Sequence, residues 1–139
     1  LKNIKASYIF LGEKDYQQFF LIKKFVKNKF GIKILLCKTI RDNNKVALSS
    51  RNILLGKKDL YKSSFIAKLL LKLKKYPKNI FALKNEIKNI KVKINNLKNV
   101  KIEYLEIRNK NNLSKKYTLK NFKIFLAYYI KNVRLIDNY

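Results

Sequence analysis

The 139-residue sequence predicts an α/β fold in which a strand–helix–strand unit is followed by two helices and a final group of strands. Three observations predict it. Two apolar, β-branched runs lie on either side of a helical pattern near the start. In the middle, aliphatic residues recur at alternating steps of three and four, which is typical of a helix. Near the end, apolar and charged residues alternate, as in strands with one buried face.

The opening unit is expected to be a building block of a doubly wound sheet. Residues 6–11 form a buried strand that ends at Gly12, and residues 32–39 form a second strand parallel to it. A helix over about 16–29 joins them and ends before Gly31. In such folds, ligands bind beyond the carboxyl ends of the strands. The apolar side of the helix is expected to hold Leu21, Ile22, Phe25 and Val26.

Two more helices are expected after a loop at 42–56. One covers about 58–75 and ends near Pro77, and Asn79 caps the next. The apolar stripe of this later helix suits a coiled-coil seam or packing against a small sheet, and the sheet is favoured because only about three heptads are present. The stripe consists of Ile80, Leu83, Ile87, Ile90, Ile94 and Leu97.

Three strands complete the predicted fold. They are expected at residues 100–104, 122–130 and 133–136, with a turn at Lys131-Asn132 between the last two. The segment 109–121 is rich in Lys and Asn and is expected to be a mobile loop.

The formal net charge is +26, from 34 basic and 8 acidic residues. This charge suits a nucleic-acid or anionic-membrane partner, or a lysine-rich surface produced by A/T-rich codon usage. The lysines are spread along the whole chain, and arginine occurs only at positions 41, 51, 108 and 134. Because specific nucleic-acid readers rely on arginine for bidentate contacts, codon usage is the favoured explanation. We therefore expect no specific nucleic-acid partner and no membrane.

Cysteine and histidine usage narrows the classes of activity. Cys37 is the single cysteine and cannot form a disulfide within the chain, so we expect the protein in a reducing, cytoplasmic compartment. Cys37 itself lies in an apolar run and is expected to be a small buried residue. The chain contains no histidine, so metalloenzyme, triad and histidine acid–base schemes cannot be built from it alone, and no metal ligands are predicted. No apolar stretch approaches the ~20 residues of a membrane span, and no signal peptide is visible. The chain starts at Leu1 almost directly before a strand, which suggests that its true amino terminus is missing.

One unusual segment, Gly12–Gln18 (GEKDYQQ), follows the first predicted strand. Glycine allows a ligand to approach the backbone closely. The loop amides and Asp15 can hold a ribose or phosphate while Lys14 neutralises phosphate charge. Alternatively, Asp15 simply caps the following helix. Gln18 is either a solvated residue or an amide that hydrogen-bonds a polar substrate.

A second unusual segment, residues 47–52 (ALSSRN), is called here the Ser-Ser-Arg loop. Two hydroxyls and a guanidinium after an Asn-rich loop suit a mobile phosphate clamp. The alternative is a serine-rich turn that starts the next helix, with Arg51 in solvent. The motif is weak alone, and its position after a strand–helix–strand unit that carries Gly-Glu-Lys-Asp favours the clamp.

Together these segments resemble the pantoate–β-alanine ligase family. The similarity covers nearly the whole chain in order, and its two most specific blocks are residues 10–18 and 47–52. Supporting blocks are Thr39–Arg41, Tyr104–Arg108 and Arg134–Asn138. The resemblance implies the carboxy-terminal half of an enzyme in the nucleotidyltransferase superfamily. Residues 1–41 would be the end of a Rossmann-like ATP/pantoate-binding domain, and residues 42–139 a small α+β lid domain with an antiparallel sheet.

The resemblance also implies roles for individual residues. Asp15 would lie near the ribose of ATP, Ile40 against the adenine, and Gln18 would hydrogen-bond pantoate. Residues 48–51 would close over adenine and phosphates. The implied ATP contacts are Gly12, Glu13, Lys14, Asp15, Ile40, Leu48, Ser49, Ser50 and Arg51. The implied catalytic residues are Lys14, Ser49, Ser50 and Arg51, acting with the Mg²⁺ that accompanies ATP.

The implied reaction has two steps. The carboxylate of pantoate attacks the α-phosphate of ATP, which gives pantoyl adenylate and pyrophosphate. The amine of β-alanine then displaces AMP and gives pantothenate. Family members are homodimers, so a homodimer is implied here too.

The chain departs from the family pattern at several positions. The family's His-x-Gly-His element belongs to the amino-terminal half and is absent, so we expect a fragment, or half of a split enzyme, that is inactive alone. Lys38 stands where the family has Pro, and Lys45 where Gly precedes the clamp. Tyr129 and Lys131 replace Arg and Gly.

Two other hypotheses remain open. One is a basic RNA-binding module, since 9 Tyr and 9 Phe can stack on bases. The other is an inactive relic of the ligase.

Overall fold

The computed structural model describes residues 6–26, 31–75 and 77–139. Contacts between residues divide the chain into two units, residues 1–40 (unit 1) and residues 41–139 (unit 2). The boundary between domains expected after residue 41 stays a prediction. The functional roles given to the two domains stay predictions.

Unit 1 is a strand–helix–strand unit, as predicted. Strand β1 (Tyr8–Gly12) leads through a 3₁₀ turn (Glu13–Asp15) into helix α1 (Tyr16–Val26). Strand β2 (Lys33–Cys37) pairs parallel to β1, from Tyr8 opposite Lys33 to Gly12 opposite Cys37. The predicted end of the helix at residue 29 lies outside the described residues.

The apolar side predicted for α1 is only partly right. Val26 is buried and Ile22 half-buried, but Leu21 and Phe25 are exposed, and the other buried residue of α1 is Phe19. The reason is that two short strands offer little surface for a helix to cover, so only part of its apolar side finds partners.

One face of the unit 1 sheet is also more exposed than predicted. Tyr8, Phe10, Leu35 and Cys37 occupy alternating, paired positions, so they share one face, and all four side chains are exposed. The prediction that Cys37 is buried is therefore wrong. The apolar run around Cys37 indicated a strand covered on both faces, as parallel strands usually are, but in the described residues only the opposite face is half-buried.

Unit 2 consists of two helices and an antiparallel sheet, as predicted. Helices α2 (Lys57–Lys75) and α3 (Ile80–Asn95) precede strands β3 (Val100–Asn109), β4 (Phe122–Ile130) and β5 (Val133–Asn138). The strand order is β3-β4-β5 with antiparallel pairing throughout. The loop expected at 42–56 contains an unpredicted 3₁₀ helix (Ser50–Leu54).

The core of unit 2 lies between the two helices and the sheet. Asn79 caps α3 by accepting a hydrogen bond of 2.8 Å from the backbone N–H of Ala82, which confirms the predicted cap. The stripe on α3 packs in one hydrophobic cluster with α2 and all three strands, so the stripe covers a sheet, as favoured. Its most buried members are Leu83, Ile87, Ile90 and Ile94.

The segment between β3 and β4 is closed by hydrogen bonds. The N–H of Lys110 donates to the carbonyl of Asn121 (2.7 Å), and the N–H of Asn109 donates to the carbonyl of Ser114 (3.0 Å). Its expected mobility stays a prediction.

Within the described residues, no helix combines the length and apolar character that a membrane crossing requires.

Candidate functional site

In unit 1, the candidate segment begins where β1 ends. Gly12 has an extended backbone (φ −69°, ψ 135°) and is followed directly by the 3₁₀ turn and α1. This conformation is open to any residue, and a Cβ added at Gly12 would meet nothing within 4 Å. The protein fold itself therefore does not require glycine here, whereas a ligand that approaches the backbone would benefit from it.

The side chains of this segment differ in how they are held. Glu13 and Lys14 are half-buried and have interaction partners, whereas Asp15 and Gln18 are exposed. Among the described residues, none forms a hydrogen bond with the Asp15 carboxylate, so the alternative that Asp15 serves as a helix cap has no bond to support it. Burial, together with the negative charge of Glu13, raises the pKa of the nearby Tyr16.

Ile40 follows β2 at its carboxyl end and is 71% exposed. An apolar side chain with so much free surface suits contact with a flat ring such as adenine. The structure thus places Gly12 at the carboxyl end of β1, Glu13–Asp15 directly after it and Ile40 shortly after β2, where the sequence predicted ligand binding, while Gln18 lies in the first turn of α1. Their roles toward ATP and pantoate stay predictions.

In unit 2, a tight loop of residues 42–46 precedes the Ser-Ser-Arg loop. Arg41 and Ala47 face each other as an isolated antiparallel pair. Between them, the N–H of Asp42 donates to the carbonyl of Val46 (2.9 Å), and the Asp42 Oδ1 accepts the N–H of Val46 (2.8 Å). Lys45 has a left-handed backbone with φ of 70°. Glycine favours that conformation, which agrees with the Gly that the family resemblance implies at this position.

The Ser-Ser-Arg loop itself is shaped by short-range hydrogen bonds. Ser49 is extended, and its Oγ accepts the N–H of Arg51 (3.3 Å), which starts the 3₁₀ helix. The Asn52 side-chain amide donates to the carbonyl of Ala47 (3.0 Å) and closes the loop. Ser49 therefore starts a helical turn, as the alternative of a serine-rich turn expected. That turn is a 3₁₀ helix, however, and the next α-helix, α2, begins later, at Lys57.

The outer side chains of this loop face solvent. Leu48, Ser50 and Arg51 are exposed and Ser49 is half-buried. One guanidinium N–H of Arg51 donates to the carbonyl of Arg134 on β5 (3.4 Å), so Arg51 is not simply in solvent. Under the loop, a cavity of about 20 Å³ lies against β4 and β5, which is room for about one water molecule. This cavity is much too small to hold a nucleotide.

Sequence reasoning missed the residues that fix this loop in place. Arg41, on the near side of the loop, forms a bidentate ion pair with Asp137 of β5. The sequence did contain both partners, since the supporting blocks 39–41 and 134–138 hold Arg41 and Asp137, each at the end of a strand-like run. Their partnership across 96 positions of sequence could not be read from either block alone.

A comparison with protein families matches residues 1–139 to the model described as pantoate-beta-alanine ligase. Among curated proteins, the pantothenate synthetase of Flavobacterium psychrophilum is 34% identical over 139 residues, covering 97% of this chain and 49% of the relative. That of Francisella tularensis subsp. novicida is 36% identical over 144 residues, covering 100% and 45%. The chain thus spans about half the length of the curated relatives it matches.

Solved structures show the same likeness. The crystal structure of pantothenate synthetase from Thermus thermophilus matches with a TM-score of 0.78 at 22% identity, covering 96% of this chain and 49% of that one, and supports the fold. The crystal structure of pantoate-beta-alanine ligase from Francisella tularensis, complexed with beta-gamma ATP and beta-alanine, matches with a TM-score of 0.64 at 35% identity, covering 97% and 44%.

Proposed function

Because this chain belongs to the pantoate–β-alanine ligase family, we propose that it supplies the carboxy-terminal part of an enzyme that condenses pantoate with β-alanine. The reaction consumes ATP and passes through pantoyl adenylate, releasing pyrophosphate and then AMP. The observation that carries the proposal is the Ser-Ser-Arg loop, which presents an exposed hydroxyl and guanidinium at Ser50 and Arg51. The Francisella relative, crystallised with beta-gamma ATP and beta-alanine, supports the substrate classes.

The proposed chemistry depends on making a leaving group. A carboxylate is a poor acyl donor until its oxygen carries a group that departs easily, and transfer of AMP to pantoate supplies one. Negative charge builds up on the phosphates as pyrophosphate leaves. Lys14, Arg51 and the two serine hydroxyls would stabilise that charge through charge-assisted hydrogen bonds.

Other residues would hold the substrates. Asp15, whose exposed carboxylate has no hydrogen bond among the described residues, would accept hydrogen bonds from the ribose hydroxyls. Ile40, 71% exposed, would lie against the adenine. Leu48, 54% exposed, would contact the adenine as part of the Ser-Ser-Arg loop. Gln18 lies in the first turn of α1 and would donate hydrogen bonds to, or accept them from, the hydroxyl groups of pantoate.

The magnesium ion would arrive with ATP. Among the described residues, no group of three or more His, Cys, Asp or Glu side chains could hold a metal ion. This does not conflict with Mg²⁺, since this ion is commonly bound through substrate phosphates and waters with few protein ligands. The homodimer implied by the resemblance is likewise part of the proposal, and sedimentation equilibrium would test it.

The test is exchange of labelled pyrophosphate into ATP by the complete protein that contains residues 1–139. We expect exchange that requires pantoate, and a loss of about 10²–10³-fold in its rate on Lys14→Ala or Arg51→Ala, the cost of removing one preorganised donor. Arg108→Ala is the matched control, because Arg108 is an arginine of β3 that pairs with Glu106 on the same strand. Exchange that proceeds equally without pantoate would refute the substrate.

A further inference from the structure

Arg41, Asp137 and Tyr139, called here the anchor cluster, form a partly buried group outside the residues given a role toward substrate. Arg41 Nη1 lies 2.7 Å from Asp137 Oδ2 and Arg41 Nη2 lies 2.9 Å from Asp137 Oδ1, a bidentate pair. The two side chains are 16% and 8% exposed. Charge-assisted, bidentate pairs of this kind fix geometry as well as contributing energy.

Tyr139 completes the cluster from a second direction. Its hydroxyl donates to Asp137 Oδ2 (2.7 Å), and its ring centroid lies 4.7 Å from the Arg41 guanidinium carbon. The backbone N–H and carbonyl of Tyr139 both pair with Ile124 of β4 at 2.9 Å. Tyr139 is 2% exposed, so its position follows that of the sheet.

The anchor cluster connects this sheet to the near end of the Ser-Ser-Arg loop. Arg41 Nη1 also donates to the carbonyl of Lys45 (3.1 Å), and the Arg41 backbone faces Ala47, the first residue of the loop. Near the far end, Arg51 donates to the carbonyl of Arg134. Both attachments reach the same strand, β5, while Ser50 between them stays exposed.

The contacts of Arg41 also leave it unsuited to bind a phosphate. Its terminal nitrogens donate to both oxygens of Asp137, to the carbonyl of Lys45 and to the carbonyl of Asn138. A guanidinium engaged in this way has its charge balanced by a carboxylate and most of its donors satisfied. The loop's exposed arginine is therefore Arg51, and Arg41 acts on a ligand only through the loop.

We infer that the anchor cluster positions the Ser-Ser-Arg loop by joining residues 41–47 to β5, so that Ser50 and Arg51 are held ready for a phosphate group. The inference assigns Arg41, Asp137 and Tyr139 as positioning residues that do not touch substrate. Its link to phosphate rests on the proposed function, whereas the anchoring of the loop does not.

The first test follows the loop itself by hydrogen exchange on the chain as it exists. Asp137→Asn keeps the shape of the side chain but removes its charge. We expect exchange of the amides of Val46, Asn52 and Leu55 to speed up about tenfold or more, as loss of hydrogen bonds to a charged group implies. Amides in the paired strands β3 and β4 should change much less. Glu106→Gln, which removes the carboxylate paired with Arg108 at the surface, should leave all of these rates unchanged.

Graded variants guard against simple unfolding. Arg41→Lys keeps the positive charge but loses the bidentate guanidinium, and Tyr139→Phe loses one hydrogen bond. The acceleration of loop amide exchange should therefore be largest in Asp137→Asn, smaller in Arg41→Lys and smallest in Tyr139→Phe. Unchanged loop exchange in all three variants would overturn the inference. Equal acceleration in β4 and in the loop would overturn it as well, because it would show a loss of the whole fold.

The second test separates positioning from general damage. In the complete protein, Arg41→Lys should raise the KM for ATP in pyrophosphate exchange about tenfold and leave the KM for pantoate unchanged, because the loop is assigned to ATP and Gln18 to pantoate. Equal rises in both KM values would contradict positioning. If wild-type protein shows no exchange at all, the proposed function fails, whereas faster loop exchange in the variants would still establish the anchoring.

Discussion

The two candidate nucleotide-binding segments differ in how they are held. Residues 12–18 follow directly from the end of β1, and the Asp15 carboxylate has no hydrogen bond among the described residues. The Ser-Ser-Arg loop is closed by its own hydrogen bonds and attached to β5 near both ends.

The units that carry the two segments also differ in how well they are packed. The described part of unit 1 buries only Phe19 and Val26 among its hydrophobic residues, whereas unit 2 has a continuous core. Unit 2 therefore contains the contacts that shape the Ser-Ser-Arg loop, whereas the described part of unit 1 leaves much of its apolar surface exposed.

The largest expected effect comes from truncating the same residue type in each unit. Leu126→Ala, at a position 1% exposed in β4, should lower the free energy of unfolding by about 2–5 kcal/mol through lost contacts and a residual cavity. Leu21→Ala, at a position 64% exposed in α1, should change it by less than about 0.5 kcal/mol. Urea denaturation followed by circular dichroism measures both. A large loss on Leu21→Ala would break the comparison, since it would show that the apolar side of α1 is covered in solution.

A smaller effect concerns the acid stability of unit 2. Asp59 is buried and lies 2.8 Å from the ammonium groups of both Lys62 and Lys131. Hydrogen bonds from Lys131 and Lys62 hold the pKa of the Asp59 carboxyl below its ordinary value. Since the folded state has the lower pKa, this group stabilises the fold above the ordinary aspartate pKa of about 4, and the contribution is lost as pH falls through the folded pKa.

The measurement is thermal unfolding at neutral pH and at acid pH. Asp59→Asn should lower Tm at neutral pH and have a smaller effect once the wild-type carboxyl is protonated. Glu86→Gln, an exposed acid on α3, is the control and should leave Tm nearly unchanged at both pH values. An Asp59→Asn effect that is the same at all pH values would show that packing, and not charge, is what Asp59 contributes.

The smallest expected effect tests the backbone before the Ser-Ser-Arg loop. Lys45 and Lys131 have φ values of 70° and 54°, and both stand where the family resemblance implies Gly. Lys45→Gly should raise the free energy of unfolding by about 1 kcal/mol or less, because relief of left-handed strain exceeds the entropy cost of glycine. Lys131→Gly should gain less, since it also removes the ion pair with Asp59.

Lys91→Gly, within α3, is the matched control and should instead lose about 1 kcal/mol. Urea denaturation of the three variants gives the ranking. A loss of stability on Lys45→Gly would show that the left-handed backbone costs little at this position.

The sequence predicted the order and type of the strands and long helices because their apolar periodicities are strong. The apolar residues of α3 recur at helical spacing and those of β3 alternate as in a strand, and in each element they form the buried face. Burial in unit 1 was not predictable in the same way. The run around Cys37 is apolar whether or not anything covers it, so sequence could not show that Cys37 is exposed.

The site was predictable where residues are neighbours in the chain and not where they meet through folding. Residues 12–18 and 47–52 each form one continuous segment, so their composition alone drew attention to them. The 3₁₀ helix at Ser50–Leu54 lacks a periodic signal because it is so short. The pairing of Arg41 with Asp137 depends on β5 lying beside β4 in the antiparallel sheet, which is a property of tertiary structure.

The exposed thiol of Cys37 has a practical consequence for spectroscopy. Cys37 is paired in register with Gly12, at the end of β1 where the first candidate segment begins. It is also the single cysteine of these 139 residues, so within them a thiol-reactive fluorophore would label one defined position. A dye attached there would lie on the strand paired with Gly12, and a change in its emission on addition of ATP would test whether nucleotide binds near this end of the sheet.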